Sequence, residues 1–416
     1  MRSNGNGAAP SRDPVMENLM IRDLITRGGM GQPPAVNMWQ GLNPLQPSNA
    51  GPGSVLTIQL RNVGLVKRLV VKLTATITAH ATATMTLTPY GLANFLSNVI
   101  FTDLANNQRI NTSGWHLFAL SSVRRNRVYG ASYLNDSPCG YGVRVDGVGA
   151  PPPYTFSGEN NFVIYAPAEI PDGGGTYDVS MFYEVPFSYS DFDLRGAIFA
   201  NTVQATMQLQ CTINPNFFVA AGDDPTLAVY QSDGVGLATI GEIRWQVYQN
   251  YLDQLPRDPR SGVLYLPRLD LGSAYLLNQT SSGTLVQNQD NAVPFVNSRQ
   301  YYSTVMIYDN NGTLNRGTDL DDISVVSANF TNIVKLDPFT WFLFGRNEIQ
   351  TDFPAAGYYL SFRDRPIDTN QYGNMQMIIR PSNVGGQGSV AFLGWESIGV
   401  IGLIEQSGAL PSGAGW

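Results

Sequence analysis

Apolar and polar residues alternate along much of the chain, in short runs separated by Gly, Pro and Asn. In LTIQLR, Leu56, Ile58 and Leu60 fall on one face and Thr57, Gln59 and Arg61 on the other. RLVVKLTATIT repeats the pattern with Leu69, Val71, Leu73, Ala75 and Ile77. TYDVSMFYEV does so with Tyr177, Val179, Met181, Tyr183 and Val185, and EIRWQVY with Ile243, Trp245 and Val247. A period of two with one polar face describes antiparallel strands packed on one side. Several such strands between turn residues predict an all-β sandwich or jelly roll.

Helical spacing interrupts this pattern. Asp13-Pro14 reads as an N-cap followed by proline at the first helical position, and Gly28-Gly29 closes the segment. Between them Met16, Met20, Ile21, Leu24 and Ile25 cover a broad arc, with Val15 and Leu19 outside it. The helix is too short to cross a bilayer but long enough to lie against one, against its own domain or against a neighbouring subunit. With Leu19 included, these six residues are the candidate membrane- or partner-facing set. Further helices are predicted in GLANFLSNV, in SGWHLFALSSVRR after the capping pair Thr112-Ser113, and in LDPFTWFLFGRNEI with Asp337 as N-cap.

Residues 28–60 contain no charged side chain, only Gly, Pro, Asn and Gln with scattered apolar anchors such as Met38, Trp39 and Leu42. A solvated linker usually carries charge. This stretch is therefore expected to be a strap lying along another protein surface.

An internal repeat follows. Val99-Ile100-Phe101, Asp103, an Asn-Asn turn and Trp115-His116-Leu117-Phe118 match Val305-Met306-Ile307, Asp309, a second Asn-Asn turn and Trp341-Phe342-Leu343-Phe344. A chain of 416 residues suits two sandwich domains of about 200 residues each. The stretch YQNYLDQLPRDPRSGVLYLP then becomes the junction. Its prolines cannot donate to a central ladder, which makes Leu255, Pro256 and Pro259 the candidate inter-domain hinge. The expected division is 1–53 helix and strap, 54–252 first domain, 253–400 second domain and 401–416 flexible tail.

Charged residues make up only 14% of the chain, against ~25% in ordinary soluble domains. So few charges point to a surface largely buried against partners. The net charge of −7 argues against direct nucleic-acid binding, which needs clustered Lys and Arg; the one basic cluster is Arg124, Arg125 and Arg127. Cys139 and Cys211 form no metal-binding spacing, and Cys211 falls on the apolar phase of MQLQCTI. The N-terminus shows no apolar signal region.

Chemistry finds no constellation to work with. His80 and His116 are the only histidines and neither belongs to a metal-ligand motif. No nucleophile elbow, P-loop or dinucleotide fingerprint occurs. Asp319, Asp321 and Asp322 lack calcium-loop spacing. Glu184, Asp253 and Glu396 are the carboxylates a glycosidase reading would need, and nothing in the sequence pairs them. No catalysis and no cofactor are expected. The alternative kept open is a secreted carbohydrate-binding or hydrolytic β-sandwich protein.

Six segments in order resemble the major capsid protein of the tectiviruses, icosahedral bacteriophages with a membrane inside the shell. They are NVGLVKRLVVKLTATIT (62–78), TSGWHL (112–117), YQNYLDQLP (248–256), KLDPFTW (335–341), TDFP (351–354) and QYGN (371–374). The resemblance implies two eight-stranded jelly rolls side by side, a double jelly roll. It further implies a homotrimer forming a pseudo-hexagonal tile, neighbouring capsomers, minor capsid and vertex proteins as partners, and an N-terminal helix near the internal membrane. The protein would sit in the virion shell and, before assembly, in the host cytoplasm. The loop at 140–161 and the region beyond about 397 depart from the family pattern.

Overall fold

The computed structural model describes residues 13–29, 31–42, 50–125, 144–146, 165–200, 205–310, 312, 319–328, 332–349, 357–372, 374–385 and 388–400. The N-terminal helix α1 (Pro14–Arg27) leads into the first half. There the main strands are β1 (Val36–Leu42), β2 (Val55–Gln59), β3 (Leu65–Thr78), β4 (Leu96–Thr102) and β5 (Gln108–Thr112). Helix α2 (Gly114–Arg125) follows, then β6 (Thr176–Pro186), β7 (Gln208–Ile213) and β8 (Arg244–Asp253).

A one-turn helix, α3 (Arg268–Leu271), opens the second half. It contains β9 (Ser273–Leu285), β10 (Asn291–Pro294), β11 (Arg299–Asn310), β12 (Leu320–Ser327) and β13 (Val334–Leu336). Helix α4 (Pro338–Ile349) precedes β14 (Gly357–Ser361), β15 (Met375–Pro381) and β16 (Ser389–Val400).

The first half pairs these strands in the orders β1-β8-β3-β6 and β2-β7-β4-β5. The second half uses β9-β16-β11-β14 and β10-β15-β12-β13. Adding eight to each strand number converts one half into the other, and α2 maps onto α4. Each half is therefore an eight-stranded jelly roll. A small sheet of Phe218–Val219, Tyr230–Ser232, Met85–Leu87 and Glu169–Ile170 is appended to the first. The rolls are joined where β5 and β9 run parallel, Ile110 opposite Leu277 and Asn111 opposite Asn278.

Burial explains the run patterns. β7 alternates half-buried and buried residues because only one of its faces meets the core. β11 is buried at nearly every position, and its sequence YYSTVMIY is continuously apolar or small. Met306 and Tyr308 fill the second core, whereas Val305 and Ile307 join the core of the first roll, together with Tyr275, Leu277 and Tyr359. The outer face of the sheet β9-β16-β11-β14 is thus covered by the first roll.

Four expectations change. Residues 36–42, expected within a strap on another protein, form β1, the edge strand paired with β8 from Val36↔Asp253 to Leu42↔Val247. The same uncharged, extended character that suggests a strap suits a strand added to a sheet edge. GLANFLSNV forms only a 3-10 turn (Gly91–Phe95) before becoming β4, as its β-branched end favours. Thr112 does not cap α2; its hydroxyl bonds His116 Nδ1 at 2.7 Å. The repeat also shifts: β4 corresponds to β12, not to β11. The two strands look alike because an Asp-bonded turn follows both. Asp103 Oδ1 accepts from the N–H groups of Ala105 and Asn107, and Asp309 Oδ1 from that of Gly312.

Candidate functional site

Helix α1 begins and ends by local chemistry. Asp13 Oδ1 accepts from Val15 N–H at 2.9 Å, Pro14 opens the helix, and Gly28 (φ 77°) donates its N–H to Leu24 O. Its apolar arc divides. Leu24 and Ile25 are buried and Ile21 half-buried against Leu65, Phe199, Leu252, Leu255, Leu266 and Leu271. Met16, Leu19 and Met20 lie exposed with Val15, each at 47–56%.

Polar bonds fix the helix in place. Asn18 Nδ2 donates to Asp270 Oδ1 at 3.0 Å, and Arg22 grips both oxygens of Asp270 at 2.5 Å through Nε and Nη2. Arg22 Nη2 also reaches Asp193 at 3.2 Å. The bond to Asp270 raises the Arg22 pKa above its ordinary value, against the opposing effect of burial. Asp193 holds Arg195 in turn, and Arg195 donates to Tyr302 Oη at 2.7 Å. Sequence reasoning missed Asn18, Arg22 and Asp270, because Asp270 lies far along the chain in α3.

The junction stretch is a folded-back loop. Leu255 and Pro256 are buried and Pro259 is exposed. Tyr265 N–H donates to Pro256 O, and Arg257 and Leu264 form a bridge. Asp258 caps its tip: bonds from the backbone of Arg260 hold its carboxyl below the usual range. Gln32 pins the loop from the α1 side through both the N–H and the carbonyl of Arg257.

Where the rolls meet, Glu396 is fully buried. It accepts from Tyr275 Oη at 2.8 Å, Ser303 Oγ at 2.5 Å and Arg363 Nη2 at 3.0 Å. Glu184 instead pairs with Arg68 at 3.3 Å, and Asp253 is exposed. The three carboxylates of the glycosidase reading thus sit in separate surroundings. The His116 ring packs against Gly394 of β16, and burial lowers its pKa to about 3 despite the nearby Glu396. Cys211 is a buried free thiol whose pKa burial pushes up. Cys139, Arg127 and nearly all of the 140–161 loop lie outside the described residues.

Of the three Asp residues weighed against a calcium loop, Asp319 is buried and bonded to Asn310 and Asn383. Among the described residues no group of three His, Cys, Asp or Glu side chains is placed to hold a metal. A cleft of about 970 Å³ beside α4 is lined by Ile333, Trp341, Phe344 and Phe362, with Glu348 bonded to Ser361 Oγ at 2.9 Å. What the molecule offers is surface: exposed apolar residues on α1, on β1 (Val36, Met38, Trp39) and on α4 (Phe339, Leu343, Phe344).

Two jelly rolls of one topology, fused edge to edge, are the architecture of double jelly-roll viral major capsid proteins. The capsid protein of Sulfolobus Turreted Icosahedral Virus superposes with a TM-score of 0.60, covering 91% of this chain and 99% of its own at 10% identity. The Faustovirus major capsid protein gives 0.56 over 93% and 98%, also at 10% identity. Identities this low establish the fold alone; the sequence is more specific. Residues 8–255 match the family described as P3 major capsid protein N-terminal, and residues 272–399 match its C-terminal counterpart. The major capsid protein P3 of Enterobacteria phage PRD1 is 38% identical over 346 residues, 82% of each chain. The chain belongs to this family of tectivirus major capsid proteins, structural components of the virion shell rather than enzymes. The secreted sandwich alternative is thereby set aside.

Proposed function

We propose that three copies of the chain form a pseudo-hexagonal tile, and that such tiles build an icosahedral shell around an internal membrane. The observation that carries this reading is the repeated strand order. One chain supplies two similar blocks, so three chains supply six. The division we propose is a first roll from β1 to β8, a junction at Leu255, Pro256 and Pro259, and a second roll from β9 to β16. The interruption between the two family matches at 256–271 supports it.

The tile is an obligate trimer whose interfaces each bury on the order of 2,000–5,000 Å². Tile edges meet neighbouring capsomers and, at particular shell positions, minor capsid and vertex proteins. Met16, Leu19 and Met20 on α1 form the partner- or membrane-facing patch, while Ile21, Leu24 and Ile25 anchor the helix to its own roll. Before assembly the tiles reside in the host cytoplasm.

Electron-microscope images of the purified protein test this. The reading expects hexagonal outlines with six density lobes. Isolated two-lobed particles at assembly concentrations contradict it. For the helix, Met16→Ser/Leu19→Ser/Met20→Ser should leave the tile intact and reduce attachment of assembled shells to their membrane. Unchanged attachment would remove membrane contact as the role of that face.

A further inference from the structure

The two rolls also touch at the far end of β11. That strand starts beside α1, where Arg299 and Gln300 line a cavity with Leu19 and Arg22, and it ends at Asp309 and Asn310. Facing this end is a turn of the first roll, Asp223-Asp224-Pro225-Thr226, between the short strands Phe218–Val219 and Tyr230–Ser232. Gly312 shows how close the two come. Its N–H donates to Asp309 Oδ1 at 2.8 Å, and a Cβ added to it would lie 3.4 Å from Pro225 Cδ and 3.7 Å from Asp224 Oδ1. The carboxyl groups of Asp224 and Asp309 face each other within hydrogen-bond reach.

Asp309 is buried, whereas Asp224 is exposed and accepts the Thr226 N–H at 2.8 Å. Among the described residues no Lys or Arg forms an ion pair with Asp223, Asp224 or Asp309. Like charges this close repel unless a proton or a cation lies between them. A third oxygen is directed at the same place. Thr226 is fully buried, and its hydroxyl is turned towards Asp309 without making a hydrogen bond of normal geometry. A buried hydroxyl with no partner is costly, and a bound cation supplies one. The backbone behind it is held firmly. Asn94 Nδ2 donates to the carbonyls of Thr226 and Ala228 at 3.1 Å each, and Asn214 Nδ2 to that of Leu227 at 2.7 Å.

We propose that Asp224, Asp309 and Thr226 hold a divalent cation of the calcium class between the two rolls. Calcium accepts irregular sets of oxygen ligands and fills its remaining positions with water, whereas magnesium demands a near-ideal octahedron. Exposed Asp224 leaves the ion a way in. Two carboxylates and a hydroxyl make a weak site, with a dissociation constant on the order of 0.1–1 mM. The ion replaces repulsion by a shared bond and ties the appended sheet of the first roll to β11. Only two of the ligands are acidic and they come from different rolls, so neither a spacing motif nor a cluster of three carboxylates marks the place. The site is independent of the tile reading, because it lies within one chain.

Thermal melting of the full-length protein, stripped with EDTA and titrated with calcium chloride at constant ionic strength, tests the site. Calcium at about 10 mM should raise the melting temperature of the parent by about 2 °C or more. Magnesium should raise it less. Asp224→Asn and Asp309→Asn should each need at least about tenfold more calcium for the same rise. Thr226→Val, which keeps the shape and removes the hydroxyl, should weaken the response without abolishing it. In EDTA, Asp309→Asn should melt above the parent because one repelling charge is gone, and added calcium should close that gap. Asp224→Asn, at an exposed position, carries the test if Asp309→Asn does not fold. No shift in the parent at the highest calcium concentration would overturn the site. A parent-like response in both Asp variants would assign the binding to other surface carboxylates and overturn it equally.

Discussion

At the residue scale, the roll junction depends on two buried groups that titrate in opposite directions. His116 is held neutral by burial, with a pKa near 3 against 6.5 in the unfolded chain. Unfolded chains bind its proton first, so the stability this group contributes is full above pH ~6.5 and falls as pH drops towards 3. Asp309 behaves the other way. Burial, then the facing carboxylate of Asp224 in the first roll, raise its pKa to about 6. The folded state therefore keeps its proton longer, and stability falls as pH rises from about 4 to 7. Asp309→Asn should flatten that slope and raise the melting temperature at pH 7; equal melting of variant and parent at pH 7 contradicts the assignment. Gly394 gives a second check at this scale. A Cβ there would overlap the His116 ring, so Gly394→Ala should destabilise the fold by about 1–3 kcal/mol in denaturant titrations. A neutral result would mean that α2 has room to move on β16.

The sequence marks His116 as structural and Cys211 as a core thiol, because both lie in apolar runs. It offers no sign that Asp309 faces Asp224 or that Glu396 binds Arg363. Those contacts join strands and loops brought together only by the jelly-roll path.

Among elements, α1 shows how local and distant information divide. Its ends were legible because Asp13, Pro14 and Gly28 act within a turn of themselves. The face it buries was only half legible: Ile21, Leu24 and Ile25 pack inward, but Met16 and Met20, in the same predicted arc, do not. The docking angle is set by Asn18 and Arg22 reaching Asp270, a residue 1% exposed. Arg22→Ala leaves that carboxylate without its charge partner and should cost about 3 kcal/mol. The helix should then loosen before the rolls do, which limited trypsin digestion at Arg27 would read as faster cleavage. Cleavage at the parent rate would show that the apolar contacts alone hold α1. β1 teaches the complementary lesson. An uncharged extended segment does seek a surface, but the surface available was the edge of its own sheet at β8.

For the molecule as a whole, the all-β class and the doubling were readable from strand periodicity, length and the helix repeat. The strand-by-strand correspondence was not, because similar Asp-centred turns follow non-equivalent strands and draw β4 and β11 into false alignment. The continuous apolar run of β11 was the sequence's trace of a sheet covered on both faces, by its own core and by the neighbouring roll. The equivalent sheet of the first roll keeps Arg68, Lys72 and Thr74 half-buried on its outer side, so its strand β3 alternates where β11 does not.

The central claim is that this 45.3 kDa chain is one third of a closed six-block tile. Light scattering on the purified protein, measured across a hundredfold dilution, tests it most directly. The account predicts the mass of three chains at every concentration. A single-chain mass at the highest concentration, or a mass that grows without limit, would contradict it.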